Sequence, residues 1–260
     1  MRLHGWHAGA AVALPLTLVG VVVAAPLAQL GVWSVRAVSE GLLAPEFAVQ
    51  ARNSLLLAAV GAGLVVVLAL VLAYGLRSTR TRAGGAGVRL ATIGYGVPGS
   101  VVAVAVLQPL GWVDDRLDGL AGTGLLLTGT VIGLLCAYTV RFLALAFQSV
   151  ESGFERVPRS LDEAARGLGS DRLDVLARVH LPLIGTGLLT AVLLVFTEVM
   201  KELPATLLMR PLGGDTLAIG VWQATTESLY STAALPALLI VLVGLAPVAA
   251  LIRLSRRAAA

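Results

Sequence analysis

The chain has 260 residues, 57% of them hydrophobic and 13% charged, against roughly a quarter charged in ordinary soluble domains. Mean hydropathy is +0.90, and 19 basic residues outnumber 15 acidic ones for a net charge of +4. These values exclude a soluble globular domain and point to a chain that lives mostly in lipid.

The uncharged stretches fall in sequence like successive membrane crossings. Leu3–Val35 has no Asp, Glu, Lys or Arg and predicts a span over 12–35. It exceeds the roughly 7–15 apolar residues of a signal-peptide core, so it reads as a helix rather than a cleaved leader. Asn53–Leu76 predicts 54–76, Leu90–Val113 predicts 90–112, and Gly119–Val140 predicts 124–147. Leu181–Thr197, extended by Val199, Met200 and Leu203, predicts 183–203, and Ser228–Ile252 predicts 233–254. A crossing needs about 20 mostly apolar residues, which Thr216–Thr226 does not supply; that run reads as re-entrant or interfacial. The runs are continuous rather than alternating, which excludes a β-barrel. The expectation is an all-α membrane protein, a polytopic bundle of about six transmembrane helices. Gly61, Gly63, Gly129 and Gly133 are expected to allow close helix approach, and Pro98, Pro236 and Pro247 to allow kinks.

Basic residues set the orientation. The connection after the second span carries Arg77, Arg80, Arg82 and Arg89 without an acid. The one after the fourth carries Arg156, Arg159, Arg166, Arg172 and Arg178. With Arg2 and the tail Arg253, Arg256 and Arg257, these hold 13 of the 19 basic residues. The other connections balance theirs: Arg36 and Arg52 face Glu40 and Glu46, and Arg116 sits among Asp114, Asp115 and Asp118. The positive-inside bias therefore puts both termini and the two basic connections in the cytoplasm. An even number of spans requires the same. This topology accounts for the basic pI, so no nucleic acid is implied. Arg141, near the end of the fourth expected span, is expected to snorkel to the cytoplasmic interface.

Most catalytic chemistries are excluded. The single lysine, Lys201, stands in Val-Met-Lys-Glu-Leu, not in the Gly-Lys-Ser/Thr of a phosphate-binding loop. His4 and His7 have no carboxylate between or near them to complete a metal site, and Cys136 is alone in an apolar run. No nucleophile–base constellation is present, and the chain does not read as an enzyme.

The fourth connection, the second of the two basic ones, is built like two short helices. Ser160 with Glu163 has the spacing of a capping box. Gly169 is placed to end the first helix in the left-handed conformation. Ser170 is then expected to cap a second helix, with Asp171 in its first turn. On that helix Leu173, Leu176, Ala177 and His180 share one face at helical spacing, and Asp174 and Arg178 form an i,i+4 pair. Pro182 suits the first turn of the next span.

Glu163-Ala164-Ala165, three residues, Gly169, nine residues, Val179, one residue and Leu181-Pro182 resemble the EAA loop of type I ABC importer permeases, E-A-A-x3-G-x9-I-x-L-P. Only Val179 departs, exchanging one β-branched aliphatic for another. Arg52-Asn53-Ser54-Leu55 resembles the opening of that family's core domain, and Gly94-Tyr95-Gly96-Val97-Pro98-Gly99-Ser100 its next helix. Met200-Lys201-Glu202-Leu203-Pro204-Ala205-Thr206, Arg210-Pro211 and Asp215-Thr216-Leu217-Ala218 are similar to the ferric-iron branch, where many permeases fuse two such units. The chain has the size of one unit.

The resemblance implies a MetI-like type I ABC permease fold. It implies an N-terminal helix and periplasmic connection over 1–50, and a permease core over 51–257 with the EAA loop at about 151–182. It implies partners: ABC ATPase subunits, an extracytoplasmic substrate-binding protein and a second permease half, identical or related. No cofactor is expected in this chain, since ATP is bound by the partner subunits. Glu163, Ala164, Ala165, Gly169, Val179, Leu181 and Pro182 are implied to couple the ATPase to the spans. Localisation is then the bacterial cell membrane, multi-pass. Ferric iron is the expected cargo; thiamine, polyamine, phosphonate or sulfate, or a secondary transporter with no ATPase, remain alternatives.

Glu198, Lys201 and Glu202 are charges at the expected extracytoplasmic end of the fifth span. They are candidates for the translocation path or gate, where intramembrane charges gather and pair. Glu198 and Lys201 are one turn apart. An ion pair that only orients the helix is the other reading, and a carboxylate pair touching a passing hard cation a third.

Overall fold

The computed structural model describes residues 6–79, 82–121 and 126–258, and all regular structure among them is helical. Helix α1 (Trp6–Val19) passes through one π turn, Gly20–Ala24, into α2 (Ala25–Ser39). Helix α3 (Phe47–Thr79) follows, then α4 (Arg82–Ala91), α5 (Gly99–Ala121) and α6 (Val131–Glu155). Short α7 (Arg159–Gly167) and α8 (Arg172–Asp174) lead through a second π turn, Val175–His180, into α9 (Leu181–Met200). The chain ends with α10 (Pro204–Met209), α11 (Leu217–Thr226) and α12 (Tyr230–Ala258).

Among the described residues five stretches are long and apolar enough to cross a membrane: Ala11–Ser39, Phe47–Ser78, Val131–Glu155, Arg172–Met200 and Tyr230–Ala249. They correspond to the first, second, fourth, fifth and sixth expected spans. The third expected span, 90–112, is not a single helix. It breaks between Ala91 and Gly99, with one 3₁₀ turn at Ile93–Gly96. Pro98 removes an amide N–H and pushes the preceding residue out of helical geometry, and Val97 is extended at φ −93°, ψ 138°. The helix then restarts at Gly99 and runs through Asp114, Asp115 and Arg116, which the sequence suggested were a connection. Asp114 is buried; its carboxylate accepts from the Leu126, Leu127 and Thr128 amides at 3.1, 2.9 and 2.8 Å and from Thr128 Oγ1 at 2.6 Å. That clasp holds 126–128 as a loop. Thr130 Oγ1 then accepts from Gly133 N, so α6 begins at Val131 rather than near 124.

The centre of the bundle is a three-way packing of α3, α6 and α9. On α3 the buried stripe is Ser54, Ala58, Ala62, Val65, Ala69 and Ala73, small residues at helical spacing that bring partner helices close. Gly61, on the same side, lies where a Cβ would be 3.4 Å from Tyr138 and 3.7 Å from Val199, as expected; Gly63 meets no neighbour. Helices α6 and α9 also cross closely, at a pair of glycines the sequence reading overlooked. A Cβ on Gly187 would stand 3.1 Å from Ser149 O, and one on Gly153 would be 3.2 Å from Ile184 Cβ. Helix α12 packs on α2 and α11. Helix α11 is ten residues, about 15 Å, too short to cross, as expected for its run.

Candidate functional site: the coupling loop and its anchor

Helix α7 is turned opposite to a usual surface helix. Its buried residue is a carboxylate, Asp162, while Leu161, Glu163 and Ala164 face outward. Leu168 just after it is 89% exposed, and Leu173 on α8 is also exposed. Pro158, not Ser160, is the N-cap residue, and no side chain caps the helix; Ser160 is already inside it, so the expected capping box does not form. The far end follows expectation. Gly169 has φ +89°, its N–H donates to Arg166 O at 2.9 Å, and Ser170 N–H donates to Ala165 O at 3.0 Å, the paired bonds of a Schellman stop. Asp171, not Ser170, caps α8, accepting from Asp174 N at 2.7 Å. The Asp174–Arg178 pair forms at 3.2 Å.

The expected face of the second helix is wrong for a definite reason. A π turn at Val175–His180 widens the spiral, so residues five apart share a side. Val175 and His180 are buried, whereas Leu173 and Ala177 are exposed. Pro182 sits in the first turn of α9, as expected, with Val179 and Leu181 half-buried beside it. The segment after α7 therefore runs into the fifth span as continuous helix over Arg172–Met200.

Asp162 is the centre of a polar knot. Arg77, at the end of α3, donates from Nε to Asp162 Oδ2 at 2.9 Å and from Nη2 to Oδ1 at 3.1 Å. The same guanidinium reaches Phe154 O at 2.8 Å and Val157 O at 3.0 Å, satisfying carbonyls at the open end of α6. His180 Nε2 lies 2.7 Å from Asp162 Oδ1. A carboxylate only accepts, so this nitrogen carries the proton. The imidazole is held edge-on by Phe154 and Tyr74, with centroids 5.3 and 5.6 Å away, and Tyr74 Oη donates to Arg172 O at 2.6 Å. Burial raises the Asp162 pKa, but the bonds and charges of Arg77 and His180 outweigh it and hold the carboxyl below its ordinary range. One carboxylate thus ties α7 to α3, α6 and the base of α9. Asp162, Arg77 and His180 form an anchor that the motif spacing alone did not reveal. The signal available was the one-sided stripe Leu161, Ala164, Ala165 and Leu168, which leaves Asp162 on another face of a short helix; the sequence does not say which face turns inward.

The path candidates separate. Glu198 and Lys201 pair at 2.8 Å and are partly exposed. Glu202 is buried and instead meets Arg141, Nε to Oε2 at 2.9 Å. Arg141 therefore does not snorkel. With α6 starting at Val131, it lies ten residues inside the helix, where charges pair with one another or with backbone carbonyls.

At the end of the bundle opposite the coupling loop, Asn53 Nδ2 donates to Gly213 O at 3.1 Å and Asp215 O at 3.0 Å, and Leu217 N–H donates to Ser54 Oγ at 2.8 Å. Arg210 and Asp215 form an ion pair across the same turn. The Asn-Ser and Arg-Pro/Asp-Thr-Leu-Ala segments, distant in sequence, build one structure. His4 and the side chain of His7 lie outside the described residues, as do the side chains of Arg80, Arg82, Arg253, Arg256 and Arg257.

Residues 65–259 match the family described as binding-protein-dependent transport system inner membrane component. The chain is 34% identical over 202 residues to a probable molybdenum ABC transporter permease protein of Haloferax volcanii, covering 75% of this chain and 70% of that one. It is 29% identical over 204 residues to the Fe(3+)-transport system permease protein FbpB 2 of Haemophilus influenzae, covering 78% of this chain but 38% of that protein. A putative 2-aminoethylphosphonate transport system permease protein of Salmonella typhimurium is 31% identical over 119 residues, 46% of this chain and 44% of that one. In structure it resembles a bacterial ABC transporter involved in the import of the acidic polysaccharide alginate, with TM-score 0.74 and 15% identity, over 97% of this chain and 96% of that one.

Proposed function

Because the chain belongs to the family of binding-protein-dependent transport system inner membrane components, we propose that it is the membrane-spanning permease half of an ATP-driven importer whose cargo is ferric iron. The observation that carries the permease role is the inverted α7. Its apolar and small residues Leu161, Ala164 and Leu168 face outward with Glu163, while its carboxylate is locked inward. An exposed apolar face on a rigid anchor is what a partner groove requires. The partner is an ABC ATPase on the cytoplasmic side, with both termini of this chain on that side. An extracytoplasmic binding protein delivers cargo to the opposite end, and a second half, identical or related, completes the path. Glu198, Lys201 and Glu202 belong to that path.

Ferric iron is supported by the Met200–Thr206 and Arg210–Pro211 segments and by the likeness to the Haemophilus permease. Molybdate is the second reading, favoured by the Haloferax relative. The test is co-purification from gently solubilised membranes, followed by uptake in vesicles holding the complete transporter. Recovery of an ABC ATPase that vanishes with Glu163→Arg supports the permease role, and its absence from the wild type sinks it. Saturable uptake of ferric iron that molybdate does not compete away supports the cargo; uptake of molybdate alone replaces it.

A further inference from the structure

Two breaks in helical structure lie beside each other within the bundle. One is the Thr92–Pro98 segment between α4 and α5; the other is Lys201–Leu203 between α9 and α10. Non-helical backbone at membrane depth is stable only where protein buries it or where it borders a water-filled space. A single side chain from a third helix joins both. Arg141 donates from Nε to Glu202 Oε2 at 2.9 Å and from Nη1 to Val97 O at 2.8 Å. Glu202 is itself committed on the other side, where Oε1 accepts from Ala205 N at 3.1 Å, the first turn of α10. Arg141 is ten residues, about 15 Å, from the start of α6 and fourteen residues, about 21 Å, from its end. It therefore stands well inside the crossing.

The contact is shaped for this bridge. A Cβ on Gly99 would fall 2.6 Å from Glu202 Oε1 and 3.2 Å from the Arg141 guanidinium carbon, so a side chain here would displace the pair. Tyr138, one turn before Arg141, holds Thr206 of α10 through a 2.7 Å hydroxyl bond. Helix α6 is thus a post to which both broken segments are fastened. The Arg141 side chain is 21% exposed and Glu202 5%, so the pair is reached from the Arg141 side.

We propose that Arg141 is the latch of the translocation path. It holds the Thr92–Pro98 and Lys201–Leu203 breaks against α6 in the resting state, and parting of the Arg141–Glu202 pair is a step of each transport cycle. Arg141 is a positioning residue: it acts on the path by fixing the two breaks. Glu202 is the gate's fixed point because of this bond, whereas the more exposed Glu198–Lys201 pair, at the end of α9, lies on the path beside it. An ion pair buried at this depth is a two-state element. Intact, it keeps the closed arrangement; parted, its charges need new partners, which an opened, hydrated path supplies. Signals from the coupling-loop end reach it through α9, which runs unbroken from His180 to Met200.

This inference rests on the importer-permease reading. The experiment uses the complete transporter in lipid nanodiscs, with ATP hydrolysis measured with and without the binding protein. Wild type is expected to hydrolyse slowly alone and faster with the binding protein; no stimulation in wild type sinks the permease reading itself. Arg141→Gln is expected to raise hydrolysis without binding protein by about tenfold, inside the usual span of a coupling between sites, and to shrink the stimulation correspondingly. Gly99→Ala wedges the pair apart without deleting a charge, and is expected to give a smaller rise in the same direction. It serves as the readout if Arg141→Gln fails to assemble. An assembled variant of either kind with wild-type basal and stimulated rates overturns the latch while leaving the permease role standing.

Discussion

Asp162 and Arg77 lie 85 positions apart, yet meet in a two-pronged bond of 2.9 and 3.1 Å, with His180 closing on the same carboxylate. Removing one member of such a buried pair strands the other charge, at a cost of about 3–5 kcal/mol. Asp162→Asn is therefore expected to lower the melting temperature of the solubilised protein and to lower transport per ATP hydrolysed, because α7 then moves without dragging α3 and α9. Thermal unfolding in detergent together with coupled uptake and hydrolysis assays checks both. Equal melting and equal coupling would mean that the knot is incidental.

The same carboxylate makes a pH statement. Its folded pKa is depressed by Arg77 and His180 despite burial. A depressed acid contributes stability that is present above the unfolded carboxylate value, about 3.9, and lost as pH falls through the folded value. The stability gap between wild type and Asp162→Asn should thus stay constant from neutrality down to about pH 5 and close only in stronger acid. A gap that narrows already between pH 8 and 6 would show that Asp162 is not the titrating anchor.

The sequence made the spans and the loop legible for physical reasons, and hid the anchors for physical reasons too. Continuous apolar runs specify helices in lipid almost independently of tertiary context, so five of the six spans correspond. The Gly169 stop was readable because its Schellman bonds are local in sequence. The break at Thr92–Pro98 was underestimated because Pro98 alone permits either a kink or a stop, and the choice is made by packing against α6. His180 was assigned to a 3.6-residue face, but the π turn rotated it inward. Arg77 reads in sequence as a topology charge, Arg141 as an interfacial charge and Glu202 as a path or gate candidate, and Asp162 carries no reading at all, since their pairings span 61 to 85 positions and no local pattern reports such a distance. In each case the charged partner decided the geometry.

Gly169 separates docking from transmission. Its φ of +89° is strained for any residue with a side chain, while a Cβ there meets no neighbour within 4 Å, so the effect of substitution is conformational rather than steric. Gly169→Val is expected to cost about 1–3 kcal/mol at the joint between α7 and α8, leaving ATPase recovery in pull-downs near normal and cutting binding-protein-stimulated hydrolysis and uptake. Asn tolerates the left-handed region better, so Gly169→Asn should retain more activity than Gly169→Val. Intact stimulation and uptake in Gly169→Val would remove the loop from the coupling route.

Asn53 and Ser54 give an independent handle on the opposite end. Asn53 holds two carbonyls of the Gly213–Asp215 turn and Ser54 holds the Leu217 amide, the first residue of α11. That turn carries Leu212, which is fully exposed, so the side-chain bonds and the Arg210–Asp215 pair fix where an apolar tip projects. Ser54→Ala strands a buried amide and is expected to cost about 1–3 kcal/mol, seen as a lower melting temperature. Asn53→Ala frees carbonyls that water reaches more easily, so its stability cost should be smaller, about 1 kcal/mol, while the turn loosens. Hydrogen exchange of the 211–217 amides distinguishes the two: Asn53→Ala should speed exchange across Leu212–Asp215, and Ser54→Ala chiefly at Leu217. Unchanged exchange in both variants would mean that the turn is held by its own backbone and that the Asn-Ser pair serves only α3.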